Sequence, residues 1–319
     1  MNLDLSKEIG VEVQAGAPLS KYTTFQLGGP CRQLINCRTA EQLEHAVKRL
    51  IAHNIPFLLI GGGSNLVVSD AGIDCAVIRF VSDQPIIQRD GTDVTVTAST
   101  LLDHLALYCA QQGLAGLNYT SGIPGTVGGA IVGNAGAFGK QVGDVLKSVV
   151  LLSPSGELRE VGPEALHFRY RHSILKETGD IVVKAAFAMT PASRDPLLKE
   201  RDEYLAIRHE KHPDLRAYPC AGSFFRNIEP TSKAGRRQAA GWFLEQAGGK
   251  ELSSGGAAIF SKHANIIVKS ENCTAQDVYR LSQRMKEIVQ NAFGLTLERE
   301  VRFVGKISGT DEDQGRLVW

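Results

Sequence analysis

Between Ser121 and Gly139 the chain reads SGIPGTVGGAIVGNAGAFG, with seven glycines in nineteen positions, no lysine or arginine, and Phe138 as its one aromatic side chain. Glycine lets the backbone take positive φ, and it lets amide N–H groups approach a ligand without interference from Cβ. Successive amides in such turns form concavities that bind anions. A second loop, Gly61-Gly62-Gly63-Ser64-Asn65, comes directly after the apolar run IPFLLI (55–60). Tight turns in a packed sheet would also use glycine, and for the shorter loop the two readings stand level. Over the longer stretch, removal of side chains on this scale favours contact with a ligand, and a pyrophosphate is its natural occupant.

The familiar phosphate-binding patterns are missing. There is no GxxxxGK[ST], which excludes a P-loop NTPase. No strand leads into GxGxxG with an acidic residue about 20 positions on, so the usual dinucleotide fold is not supported. With no lysine or arginine in the stretch, neutral amides and hydroxyls are expected to hold any diphosphate.

Composition sets the wider limits. A chain of 319 residues with 43% hydrophobic content can bury a sizeable core and suits two or three domains. A net charge of +1 gives no field that would favour nucleic acid or an anionic membrane. No apolar run approaches the roughly 18 residues that a membrane helix needs, and MNLDLSKEIG lacks the basic and apolar regions of a signal peptide. The six cysteines are scattered with no CxxC pair, and none of the eight histidines has ligand spacing with a partner, so no metal is expected. These features together point to a reducing cytoplasm.

Periodicity places the elements. TAEQLEHAVKRLIAHN (39–54) reads as a helix capped by Thr39 and Gln42. IPFLLI (55–60), CAVIRF (75–80) and TDVTVTAS (92–99) read as strands, 101–113 as a helix, 149–161 as a hairpin across Pro154-Ser155-Gly156, and 181–190 as a strand. The charged stretch 192–212 has helical spacing and reads as a link into a second region. There 233–247 and 274–294 are expected to be helices, 265–269 and 296–305 strands, and the tail beyond Ile307 frayed.

Seven motifs then occur in one order: YTTFQLGGP (22–30), GGGSNLVVSD (61–70), the 121–139 stretch, YRHSILK (170–176), AGSFFRN (221–227), GWFLEQAG (241–248) and LEREVRFVG (297–305). Together they resemble the UDP-N-acetylenolpyruvoylglucosamine reductase (MurB) family, in its shorter, type II-like form. The resemblance implies an α+β chain. Residues 22–190 would form an FAD-binding domain of the PCMH/vanillyl-alcohol-oxidase type, made of two α+β subdomains. Residues 201–297 would form a C-terminal α+β substrate-binding domain, with the last strand, 297–305, returning to the flavin domain. It also implies an enzyme that uses NADPH and non-covalent FAD to reduce UDP-N-acetylglucosamine enolpyruvate to UDP-N-acetylmuramate for peptidoglycan synthesis. No nucleic acid, membrane or obligate protein partner is expected.

The motif matches assign residue roles. Arg171 matches the family's catalytic arginine, Ser223 its proton donor and Glu300 its catalytic glutamate. A guanidinium can grip a carboxylate with two parallel N–H bonds. A serine hydroxyl is a weak acid that suffices when the acceptor is a strongly basic carbon. Without the match, Arg171 would read as a surface arginine, Ser223 as a turn residue, and Glu300 as one half of a solvated pair with Arg302. In the first loop, Gly61, Gly62, Gly63, Ser64 and Asn65 are candidate FAD contacts. In the second, they are Ser121, Gly122, Ile123, Pro124, Gly128, Gly129, Asn134 and Gly136. Tyr170, Arg226, Asn227 and His263 are candidates for binding substrate, with Arg226 standing where a lysine is common. The rival readings are another flavin oxidoreductase acting on an alcohol or 2-hydroxy acid, and an inactive nucleotide-binding module. The first often tethers its flavin through histidine or cysteine, and no histidine lies in 61–70 or 121–144.

Overall fold

The computed structural model describes Leu5, residues 10–229 and residues 237–309. The first sheet contains β1 (Glu12–Ala15), β2 (Cys31–Cys37), β3 (Phe57–Ile60) and β5 (Ile73–Phe80), in the order β1-β2-β5-β3. Strand β4 (Leu66–Val68) stands outside it. Strands β2 and β3 both pair parallel with β5. Parallel strands of one sheet need a crossover, which α1 (Ala40–Ala52) supplies between β2 and β3. The expected capping box is present: Thr39 accepts from the Gln42 amide while the Gln42 side chain accepts from the Thr39 amide. Leu43, Ala46, Val47 and Leu50 form the buried face of α1.

The second sheet is antiparallel throughout, with β6 (Ile87–Asp90), β7 (Asp93–Thr97), β8 (Leu146–Leu152), β9 (Leu158–Val161) and β10 (Ile181–Ala188) in the order β9-β8-β10-β7-β6. Between β7 and β8 come α2 (Leu102–Gln111) and the short α3 (Val127–Val132), which carries part of the glycine stretch. One apolar core serves both sheets and runs from Ile35 and Ile78 through Val94 to Phe187.

The helix α4 (Arg194–Lys211) buries only Leu197 and Arg201, so apolar burial does not hold it. Polar contacts do. Arg201 donates to both carboxylate oxygens of Asp103 on α2, at 2.7 and 2.8 Å. Asn118 donates to the Leu197 carbonyl at 3.0 Å, and Arg208 Nε donates to the Ser121 carbonyl at 2.7 Å. The stretch expected as a link is thus a helix docked along the glycine stretch.

The third sheet holds β11 (Cys220–Ser223), β12 (Ala257–Phe260) and β13 (His263–Lys269), with the two-residue strand Ser253–Ser254 on its far edge. Its helices are α5 (Ala240–Gln246) and α6 (Ala275–Phe293). Thr274 and Asp277 form a capping box at the start of α6, and Gly294 ends it in the left-handed conformation. Of the helix expected over 233–247, residues 233–236 lie outside the described residues, as does the tail from 310 onward.

The last strand, β14 (Arg302–Val304), pairs parallel with β4, placing Arg302 opposite Leu66 and Val304 opposite Val68. It is shorter than the expected 296–305. The backbone just before it is committed elsewhere: the Glu298 carbonyl accepts from Arg226, and the Glu300 amide donates to the Phe224 carbonyl. This irregular segment ties the exit of β11 to the β3–β4 loop. Leu297, Val301 and Phe303 are buried in the C-terminal core, which also takes in Phe25 and Val67.

The Arg201–Asp103 bridge predicts a pH-dependent stability. Burial pushes the Asp103 carboxyl up, but hydrogen bonds from Arg201 and the Gly122 amide outweigh it and hold the group below its usual value. A depressed carboxylate stabilises the fold above its unfolded pKa, and that contribution is lost as pH falls through the folded value. Arg201→Ala should cost about 1–2 kcal/mol at neutral pH, below the figure for a fully buried charged bond because Asp103 is partly open to solvent. Urea unfolding should show this gap closing as pH drops below the ordinary carboxylate range. A gap that ignores pH would contradict the assignment.

Candidate active site

A cavity of about 710 Å³ lies between the glycine loops and the third sheet. Its wall is drawn from the β3–β4 loop, the glycine stretch, Arg171 and Lys176, the end of α4, β11, α5, the start of β13, and Glu300 with Arg302. Ser64 joins the two glycine loops by donating to the Pro124 carbonyl at 3.0 Å.

The glycines are of two kinds. Some are demanded by the protein itself. A Cβ on Gly61 would sit 2.4 Å from Thr126 Oγ1, and one on Gly63, at φ +61°, would sit 2.2 Å from the Tyr22 carbonyl oxygen. Gly129 is different. It lies in α3, lines the cavity, and a Cβ there would meet only Thr126 Oγ1, at an ordinary 3.6 Å. No neighbouring group forbids a side chain at Gly129, so its absence leaves clearance on the cavity side.

Of the candidate contacts, Gly61, Gly62, Gly63, Ser64, Asn65, Ile123, Pro124, Gly129 and Gly136 line the cavity. Ser121, Gly122, Gly128 and Asn134 do not. The Ser121 hydroxyl donates to the Asn118 carbonyl and its own carbonyl accepts from Arg208, so both groups are taken up within the fold. Gly122 lies under Leu205 and Arg208 of α4. The Gly128 amide donates to the Ala98 carbonyl. Buried Asn134 donates to Gln141 and to the Arg169 carbonyl, and accepts from the Gly143 amide, so it fixes the shape of the stretch from behind. The wall is not free of positive charge either, because α4 brings Arg208 into it.

The charged centre comes from distant parts of the chain. Arg171 Nε lies 3.0 Å from Glu300 Oε1, with both side chains largely buried, at 23% and 21% exposure. Arg171 also donates to the Gly136 carbonyl at 2.8 Å. The Glu300 backbone is fixed on two sides: its amide donates to Phe224, and its carbonyl accepts from Asn65 Nδ2 at 3.1 Å. Burial holds the Glu300 carboxyl above its usual range, against the pull of Arg171, Lys176 and Arg226. Lys176 donates to the Arg171 carbonyl at 2.7 Å, and burial, reinforced by repulsion from Arg226, brings its pKa down to about 8.

Ser223 enters the cavity from β11, next to Gly222 at φ +74° and opposite Ile266. Asn265 locks the next two residues, Phe224 and Phe225. Its backbone carbonyl accepts from the Phe224 amide, its side-chain oxygen accepts from the Phe225 amide at 2.9 Å, and its Nδ2 donates to the Phe225 carbonyl at 2.8 Å. Phe224 and Phe225 are both fully buried and pack edge to face. Asn227 lines the cavity, but its side-chain oxygen accepts from the Ala240 amide at the start of α5. His263 lines it too, with its ring 5.5 Å from that of His212. Burial lowers both histidine pKa values, to about 4 for His212.

Tyr170 and Arg226 lie outside this cavity, in a smaller one of about 480 Å³ shared with Arg169, His172, Glu229 and Arg237. The Tyr170 hydroxyl accepts from the Asn227 amide at 3.2 Å, and the Arg237 guanidinium lies 4.1 Å from the ring centroid. Sequence reasoning alone does not single out Lys176, Arg208, His212 or Asn265. Lys176 is the last residue of YRHSILK and carries no separate signal there, and Arg208 and His212 look like surface charge at the end of a polar helix.

Comparison with known proteins bears on this arrangement. Residues 213–304 match the family described as UDP-N-acetylenolpyruvoylglucosamine reductase, C-terminal domain, and residues 31–162 match FAD binding domain. The UDP-N-acetylenolpyruvoylglucosamine reductase of Desulforamulus reducens is 36% identical over 95% of this chain and 97% of its own length. That of Lactobacillus acidophilus is 34% identical over 95% of this chain and 98% of its own. The crystal structure of UDP-N-acetylenolpyruvylglucosamine reductase (MurB) from Thermus caldophilus superposes with a TM-score of 0.74 and 32% identity, covering 92% of this chain and 98% of that one.

The two kinds of glycine can be separated by stability. Gly63→Ala should destabilise the ligand-free protein by at least about 1–2 kcal/mol, from left-handed strain alone. Gly129→Ala should cost nothing, since alanine favours a helix and meets no neighbour. Urea midpoints of the two variants test this, and equal losses would refute it.

Proposed function

This chain belongs to the UDP-N-acetylenolpyruvoylglucosamine reductase family, and on that footing we propose that its cavity is the active site of an NADPH-dependent flavoenzyme. The reaction is reduction of the enolpyruvyl ether of UDP-N-acetylglucosamine enolpyruvate to the lactyl ether of UDP-N-acetylmuramate, a precursor of peptidoglycan. One observation carries the reading: a single cavity unites a wall cleared at Gly129 with Arg171, Glu300 and Ser223.

The residues present fit FAD. The clearance at Gly129 suits a ligand pressed against backbone, and the volume lies in the range of a cofactor site. Gly61 to Asn65, Ile123, Pro124, Gly129 and Gly136 would hold it, with Arg208 as the nearby cation. Bound there, FAD would supply the hydride, drawn from NADPH, that adds to the terminal carbon of the enolpyruvyl double bond.

The remaining work falls to this chain's side chains. As the double bond accepts hydride, negative charge moves toward the substrate carboxylate. The Arg171 guanidinium, always charged and held by Glu300 and Gly136, is placed to receive it without reorganising. Ser223 gives its proton to the carbon beside the carboxylate, so hydride and proton complete the addition. Asn227 and His263 border the same space for substrate, while Tyr170 and Arg226 support it from the adjoining pocket.

Residues 22–190 with the returning segment 297–305 make up the FAD-binding domain in this reading, and 201–297 the substrate-binding domain. The parallel pairing of β14 with β4 supports that division. The partner is a small molecule. Among the described residues no helix is long and apolar enough to cross a membrane, and all six cysteines are free, as suits work in the cytoplasm.

Purified protein should be yellow and release FAD on acid or heat treatment. Gly129→Val should keep the unfolding midpoint of the ligand-free protein yet carry little flavin; normal FAD content would remove this wall from the cofactor site. Ser223→Ala should bind FAD and let NADPH bleach the flavin at close to the normal rate. Recovery of absorbance with the enolpyruvyl substrate should slow roughly 10²–10⁴-fold, as for loss of a positioned acid, or about 3–5 kcal/mol. Equal slowing of both steps in stopped flow would make Ser223 structural, and no slowing would place the proton elsewhere.

A further inference from the structure

The motif YRHSILK contains a lysine that the reaction as described does not use. We infer that Lys176 is a positioning residue: its ammonium holds the Arg171 backbone in the conformation that aims the guanidinium at Glu300 and the cavity. The inference rests on the function proposed above.

Arg171 is a non-glycine residue at φ +54°, in the left-handed region. A Cβ there costs about 1–2 kcal/mol, so the surroundings must hold it. Three ties do so. Glu300 faces Nε at 3.0 Å, the Gly136 carbonyl accepts from a terminal nitrogen at 2.8 Å, and Lys176 donates to the Arg171 carbonyl at 2.7 Å. Only the last binds the Arg171 backbone directly; around it, reciprocal backbone hydrogen bonds between Arg169 and His172, at 3.0 and 3.1 Å, close the turn that carries the residue. The lysine tie is built by local folding. The Ser173 hydroxyl donates to the Val132 carbonyl at 2.8 Å, buried Leu175 anchors the single helical turn Leu175–Thr178, and that turn swings Lys176 back over Arg171. Without the tie, the Arg171 carbonyl loses its charged donor and its peptide plane can tilt within the turn. The guanidinium would then shift from its place against Glu300.

The tie is a costly one to keep. Lys176 shares its surroundings with Arg171, Arg226 and Arg302, and Glu300 is the carboxylate that acts on it. Packing alone would be better served by methionine. A charged donor makes a stronger bond to a carbonyl than a neutral one, which explains a cation at this place. Burial then sets the limit: the amine loses its proton near pH 8, and the grip on Arg171 weakens above that.

Lys176→Met and Lys176→Gln test the idea. Met keeps the bulk and removes the donor; Gln keeps a neutral donor. Both should retain FAD, and NADPH should bleach the flavin at near the normal rate. Recovery of absorbance with the enolpyruvyl substrate should slow roughly 10–100-fold in the Met variant, in kcat more than in KM, as for a misplaced group. The Gln variant should regain part of that rate. The wild-type rate of recovery should fall as pH rises through about 8, and this limb should be missing in the Gln variant. Stability gives a readout independent of turnover. A lysine whose folded pKa lies below its unfolded one binds fewer protons when folded, so wild type should gain stability as pH rises from about 8 toward 10.5, and the Met variant should not. A Met variant with normal recovery, equal slowing of both steps, or an unchanged alkaline limb in the Gln variant would overturn the inference. If the Met variant does not fold, the Gln variant's limb decides alone. Failure of the wild-type enzyme to turn over this substrate would instead remove the proposed function.

Discussion

The ion pair between Arg171 and Glu300 is the point at which the folds of the two halves become one site. Neither side chain could stay in so enclosed a place alone, because an unpaired charge there would be left desolvated. Their meeting requires two remote events. The YRHSILK loop must place Arg171 at positive φ, and the chain must return after α6 to lay β14 beside β4. Glu300 sits just before that strand, with its amide tied to the β11 exit and its carbonyl to the first glycine loop. The same three-way junction brings Ser223 into the cavity. A change that frees the 297–301 segment would therefore disturb the pair, the serine and the first glycine loop together.

Charge balance around this junction fits an anionic reactant. Arg171, Lys176, Arg302, Arg208 and Lys262 line the wall, against Glu300 and Glu245 as its carboxylates among the described residues. The cations Arg171, Lys176 and Arg302 lie around Glu300 at the junction, while Gly129 leaves part of the wall bare of side chains. A substrate carboxylate that gains charge during reaction is best met by fixed cations that need not move. The helix α4 contributes twice, since its polar contacts brace the glycine stretch and its end supplies Arg208 and His212 to the wall.

Much of this was legible in the sequence where a local rule governs. The capping box at Thr39 depends on a neighbour three residues away and forms as expected, and the helix expected over 274–294 forms and stops at Gly294, with an unexpected box at Thr274. The glycine stretch announces a close backbone approach. It cannot reveal which glycines serve the protein: Gly61 and Gly63 are required by Thr126 and Tyr22, and only Gly129 among these three has room to spare. Ser121 and Asn134 look like ligand contacts because polar residues in a glycine loop so often are, yet tertiary partners claim their polar atoms. The strand expected over 296–305 is cut to Arg302–Val304 because alternation reports burial, not pairing, and Val301 and Phe303 are buried as alternation requires. Lys176 and Arg208 are invisible for a related reason. Nothing in a short window distinguishes a lysine folded back on a carbonyl from one in water.

One cavity is proposed to serve both cofactor and enolpyruvyl substrate, and every assigned role depends on that. Anaerobic stopped flow on the wild-type protein tests it directly. The flavin should lose its absorbance with NADPH alone, regain it on mixing with UDP-N-acetylglucosamine enolpyruvate, and leave a product heavier by two hydrogens in mass spectrometry. Flavin that bleaches with NADPH but stays bleached with that substrate, with the substrate recovered unchanged, would contradict the shared cavity and the reaction built on it.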